Sequence, residues 1–392
     1  MVGCEIGDGI AAVHYSACLA ESNTLRPTVP PAACYDSWQA IDRRGIDMLS
    51  SATRTYKSAF SLIVLVACIP FSAAQADTID ELYEKAKADK ALVLYTGAGS
   101  AAAKATAEAF EKRFPGIAVT GKGGFSNVLD QEIDQQLKDN KITADFVQFQ
   151  TIQDYRRWDK AGALLHFKPD GFDQVLPSMK ERNGAWVAVN AIPMFYGYNA
   201  EKVPQANVPK SALDFLRAEF RGKVVTVYPT DDDATLYNFH LLVRKYGWDF
   251  MKKYMANEPY FIQGHRDVAA RLRSGTSFVS FDNSAMPGGA LKIAISEKDK
   301  TPVFFTAGGI LKKAPHPNAA KLLLTWMLSK ERQNPAFYSP RADMPQPAGM
   351  PSLTDPRFAN GYRDFLGDGR QLPALRKRFE ALVGPIVNKA TQ

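Results

Sequence analysis

Residues 91–120 read ALVLYTGAGSAAAKATAEAFEKRFPGIAVT. The opening run Ala91-Leu92-Val93-Leu94-Tyr95 is short and apolar, as a buried strand is. Ala103, Ala107, Phe110 and Phe114 follow at spacings of four, three and four, which places one apolar stripe on a helix. Pro115-Gly116 stops that helix, and Ile117-Ala118-Val119 begins a second strand. Strand, helix and strand within thirty residues predict an α/β architecture.

The same logic runs outward from this unit. Leu129, Ile133 and Leu137 line a second helix, and Ala144-Asp145-Phe146-Val147 reads as a third strand. Further on, Lys223 to Tyr228 is a strand. A helix from about Ala234 to Tyr246 follows, with Leu236, Phe239 and Val243 inward and Gly247 as its stop. Val268 and Leu272 mark a short helix closed by Gly275, leading into the strand Phe278-Val279-Ser280-Phe281. Asn318 is expected to cap a late helix carrying Leu323, Leu324, Met327 and Leu328, and the Pro-rich stretch from Pro340 to Pro356 reads as loop.

A chain of 392 residues that is 46% hydrophobic and 23% charged has enough core for two domains. The formal charge of +7 is spread along the sequence. A nucleic-acid footprint would instead cluster its basic residues on one element, so no nucleic-acid partner is expected. All four cysteines, Cys4, Cys18, Cys34 and Cys68, precede residue 69. A body without thiols suits an oxidising compartment. Arg54 and Lys57, the apolar run Ala59–Phe71 and then Ala74-Gln75-Ala76 are the three parts of a secretory signal. Residues 48–76 are therefore read as a signal peptide, with the mature protein starting near Asp77. Leu65-Val66-Ala67-Cys68 offers a rival reading, a lipoprotein site that would anchor the chain at Cys68. Residues 1–47 are read as an over-long start.

Four stretches resemble a known family. They are Leu94-Tyr95-Thr96-Gly97 with the helix ending in Phe114-Pro115-Gly116-Ile117; Ala144–Val147 with Lys160–Leu165; Tyr198-Asn199 beside Lys202-Val203-Pro204; and Ala314–Lys321 with Leu328–Gln333. In this order they resemble type II periplasmic solute-binding proteins of ABC transporters, in the branch of ferric-iron-binding proteins. The resemblance implies two lobes joined by two crossovers, with residues 77–197 and 306–336 in one and 198–305 and 337–392 in the other. It implies a monomeric periplasmic protein that is not an enzyme and needs no cofactor. Such a protein would close on a small-molecule solute by hinge motion and deliver it to a membrane permease.

Several motifs bear on what would sit between the lobes. Gly97-Ala98-Gly99-Ser100-Ala101-Ala102 fits the dinucleotide pattern G-x-G-x-x-A, but Thr120-Gly121-Lys122-Gly123 stands where an acidic residue should bind ribose. A tight turn or ligand contact through helix-start N–H groups is the better reading. The resemblance implies cleft positions for Thr96, Gly97 and Ala98, and for Ser126 and Asn127. Thr230-Asp231-Asp232-Asp233 opens a helix, where one carboxylate would serve as a cap. The other two either accompany it or meet the ligand, and three carboxylates there would favour an amine, a metal-bearing ligand or a polyol. His265 and Arg266 lead another helix that borders the cleft in relatives. Arg266 could clamp a carboxylate.

Ferric iron in this branch is held by two adjacent tyrosines after a strand, where this chain has Asp282-Asn283-Ser284. The alternative of iron binding would thus need a different ligand set, and no metal site is predicted. Asp282 and Asn283 are instead expected to hydrogen-bond an organic ligand, with Tyr196 a further candidate. A secreted hydrolase is the remaining alternative, although no Ser, His and Asp arrangement or paired carboxylates are visible and no catalytic residue is predicted.

Overall fold

The computed structural model describes residues 77–367 and 369–389. The signal segment read at 48–76, the four cysteines and residues 1–47 lie outside them. Helix α1 (Ile79–Ala86) opens with a capping box in which Thr78 and Glu81 satisfy each other's backbone N–H groups. It was not legible in the spacing of apolar residues.

Strand β1 (Ala91–Thr96), α2 (Ser100–Arg113) and β2 (Ala118–Gly123) form the expected unit, with Ala103, Ala107, Phe110 and Phe114 buried. Helix α3 (Ser126–Lys138), β3 (Phe146–Phe149), α4 (Ile152–Lys160), β4 (Leu164–Leu165) and β5 (Val187–Ala188) complete the N-terminal part. Strands β6 (Ile192–Pro193) and β7 (Phe195–Asn199) lead away from it. Then come β8 (Val225–Val227), α5 (Asp233–Tyr246), α6 (Trp248–Ala256), β9 (Tyr260–Ile262), α7 (His265–Ser274), β10 (Val279–Asn283) and β11 (Leu291–Ala294). Strands β12 (Thr301–Phe304) and β13 (Ala307–Leu311), α8 (Pro317–Leu328), β14 (Phe358–Ala359), α9 (Tyr362–Gly367) and α10 (Leu372–Val383) finish the chain.

These strands sort into two lobes. One is built on a sheet of order β2-β1-β3-β13-β4, with β5 also on β13. The other holds β10-β7-β11 and the pair β8-β9, tied together by a bridge between Val224 and Val279. The small ladder β14-β12-β6 belongs to neither large sheet. Strand β13 therefore comes back to the first sheet from far along the chain, pairing antiparallel with β3. A row of rings joins the lobes: Tyr155 against Trp186, Trp186 stacked on Phe305, Phe305 edge-on to Tyr362, and Tyr362 beside Tyr237. The apolar core is continuous through this row.

Gly247 and Gly275, at φ 75° and 72°, end α5 and α7 where the sequence places the stops, since a side chain is strained at such φ. One expectation needs correcting. Asn318 does not cap α8; His316 occupies that position without a side-chain bond. The caps come from elsewhere in the chain: Asp89 Oδ2 accepts the backbone N–H groups of Asn318 and Ala319 at 2.8 and 2.9 Å, and Asp145 Oδ1 accepts that of His316 at 2.7 Å.

Candidate functional site

A cleft of about 700 Å³ lies between the lobes. Five helices begin at its wall: α5 is capped there by Asp232, whereas α2 at Gly99, α3 at Phe125, α4 at Thr151 and α7 at Gly264 have no side-chain cap. The leading N–H groups of a helix have no intrahelical acceptor, so the wall offers donors with partial positive charge. Asn190, Ile192, Phe304 and Thr306, from the connecting segments, form the floor.

The glycine loop is shaped for close approach. Gly99 has φ 87°, and the Arg266 guanidinium lies where its side chain would be, donating to the Ala98 carbonyl at 3.4 Å. Thr96 is buried beneath the loop; its hydroxyl accepts from Ala98 N–H at 3.2 Å and lies 3.3 Å from Gln148 Oε1. Gly97, Ala98, Ser126, Asn127, the three aspartates, His265 and Arg266 all line the cleft.

The carboxylates of Asp231, Asp232 and Asp233 are already engaged. Asp232 caps α5 through Thr235 N–H at 2.8 Å and accepts Gln150 Nε2 at 2.9 Å. Asp231 accepts Asn127 Nδ2 at 3.2 Å and Gln263 Nε2 at 2.8 Å. Asp233 is buried, accepts Gln153 Nε2 at 2.9 Å and pairs with Arg376. Thr230 contributes its carbonyl to Arg376 at 3.1 Å rather than a side chain to the wall.

His265 lies between two carboxylates, Asp232 at 3.8 Å and Asp282 at 3.6 Å, with its ring stacked on Phe304. Burial alone would lower its pKa. Asp232 and Asp282 outweigh that and hold it up at about 9, so the ring is an imidazolium at neutral pH. Asp282 itself turns inward: its Oδ2 accepts Val227 N–H at 3.0 Å and the hydroxyls of Thr226 and Thr235 at 3.2 and 2.9 Å. Asn283 is likewise buried, donating to the Ala285 carbonyl at 2.8 Å. Tyr196 is remote from the wall, its hydroxyl donating to Asp299 at 2.7 Å. The structure thus brings nine of the residues singled out in sequence to the cleft surface, and sets Thr96, Tyr196, Thr230, Asp282 and Asn283 behind it or away from it.

Other wall residues carried no local signal. Thr151 is 3% exposed, and its Oγ1 has no partner. Gln153 Oε1 is buried and unpartnered in the same wall, where Asp130 lies beside Asp154. Burial, then the neighbouring Asp154, pushes the Asp130 carboxyl up to about 7. Among the described residues, no group of three His, Cys, Asp or Glu side chains is placed to hold a metal ion.

Two lobes around a cleft of metabolite size define a protein that grips a small molecule. The family model for bacterial extracellular solute-binding proteins matches residues 105–357, and the chain belongs to that family. It is 22% identical over 264 residues to the Fe(3+)-binding periplasmic protein of Serratia marcescens, covering 64% of this chain and 77% of that protein. Its fold is similar to that of AfuA from Actinobacillus pleuropneumoniae with exogenous fructose-6-phosphate bound (TM-score 0.62, 18% identity, 74% of this chain and 98% of that one). It is also similar to iron-bound HitA from Pseudomonas aeruginosa (TM-score 0.58, 20% identity, 74% and 99%).

Proposed function

We propose that the protein is the periplasmic solute-binding component of an ABC importer, acting as a monomer that hands its solute to a membrane permease without transforming it. The solute sits between lobes formed by residues 77–197 with 306–336 and 198–305 with 337–392. One observation carries the choice of ligand class: a cleft of about 700 Å³ lined by four uncapped helix starts and by unpartnered side-chain oxygens. Volume and lining fit a small polar organic molecule that accepts hydrogen bonds from the helix starts and donates to Gln153 Oε1 and its neighbours. A micromolar Kd needs about −8 kcal/mol, within reach of several such bonds in a closed cleft.

Iron is the weaker reading. The end of β10 and the residue after it offer Asp282-Asn283-Ser284 in place of adjacent phenolates, and the first two are turned into the lobe. Ferric citrate should therefore leave the protein colourless.

The test is a thermal-shift and calorimetric screen of polyols, sugar phosphates and amino acids, with native mass spectrometry of anything that co-purifies. At least one organic solute should bind, and Thr151→Val should weaken it about tenfold with the fold intact. No binder anywhere in the screen, with nothing co-purifying, would overturn the reading.

A further inference from the structure

The three consecutive aspartates are unusual in what they meet. Each accepts a side-chain amide from the opposite lobe: Asn127 Nδ2 donates to the Asp231 carbonyl and Oδ1, both at 3.2 Å, Gln150 Nε2 to Asp232 Oδ2 at 2.9 Å, and Gln153 Nε2 to Asp233 Oδ2 at 2.9 Å. The amides come from the starts of α3 and α4 and the loop between β3 and α4; the carboxylates come from the turn between β8 and α5 and the first residue of α5. Capping α5 needs only Asp232. The other two carboxylates are placed where they reach across the cleft.

We propose that Asp231, Asp232 and Asp233, with Asn127, Gln150 and Gln153, form a latch that sets how far the two lobes favour the closed arrangement. The inference rests on the reading of the protein as a two-lobe binder, and it assigns the aspartate run to lobe–lobe contact rather than to the solute. The carboxylates are held in position from their own side: Gln263 donates to Asp231, Thr235 N–H to Asp232, and Arg376 to Asp233. The amides therefore meet acceptors already oriented. Bonds present only in the closed form shift the population towards it, and the apparent affinity for any solute rises with the closed fraction.

The lobe-one amides are the side to alter, because changing Asp232 would also strip the α5 cap, changing Asp233 would leave Arg376 without its carboxylate, and changing Asp231 would release Gln263. Small-angle scattering of the full chain, with no solute added, reads the lobes directly. The radius of gyration should rise from the parent to the triple variant Asn127→Ala/Gln150→Ala/Gln153→Ala. It should rise further in Gln150→Glu/Gln153→Glu, where carboxylate faces carboxylate, with secondary structure by circular dichroism unchanged in both. Equal radii in all three proteins would overturn the latch. The solute screen is a separate arm, so a latch that opens in a protein binding nothing would leave this inference standing while removing the proposed solute class.

Discussion

At the scale of single residues, His265 has the most exposed consequence for experiment. Its pKa stands near 9 instead of the ordinary 6.5 because Asp232 and Asp282 flank it. A group raised on folding contributes stability that is complete below about pH 6.5 and is lost as pH rises through about 9. The contribution is up to about 3 kcal/mol, from the size of the shift. Melting temperatures of the parent should therefore fall across that window more steeply than those of His265→Gln. Parallel curves would show that the ring is not held charged. Asp282, the second flank, also shows where single residues escape sequence reading. It stands at the end of a recognisable strand, but which of two alternating faces it takes depends on the register of β10 against β7, which shifts between Ser280 and Asn283. Thr151, Gln153 and Arg376 carry no local pattern because the wall they share is assembled from segments more than two hundred residues apart.

Elements were far more legible. The 3.6-residue stripes of α2, α3 and α5 and the glycine stops of α5 and α7 are local signals, and the structure keeps them. The cap of α8 was misread because Asp89 lies beyond any window that could reveal it. The tight packing of β2 against the start of α2 is equally non-local: a Cβ at Gly123 would overlap the Gly99 carbonyl and Ser100 N–H, backbone atoms that cannot swing aside. Gly123→Ala should cost about 1–3 kcal/mol by overpacking and displace the loop beneath Arg266. A denaturant midpoint equal to the parent's would show the two segments to be farther apart.

For the whole molecule, the division into two lobes followed from the ordered family stretches, whereas the ring row joining them did not. Tyr362 belongs to it, fully buried against Phe304, Phe305 and Tyr237, with its hydroxyl donating to the Gln150 carbonyl at 3.0 Å. Tyr362→Phe should lose about 1 kcal/mol, the worth of one hydrogen bond, and Tyr362→Ala about 3–5 kcal/mol through the cavity it leaves. Urea titration separates the two; equal losses would mean that the ring's packing is not what Tyr362 supplies. The antiparallel seat of β13 on β3 has a different kind of consequence. During synthesis, Phe146–Phe149 leaves the ribosome well before Ala307–Leu311, and through that interval an apolar strand has a bare edge open to any other extended chain. Chains truncated anywhere between these two strands should aggregate, because the edge that β13 covers stays bare.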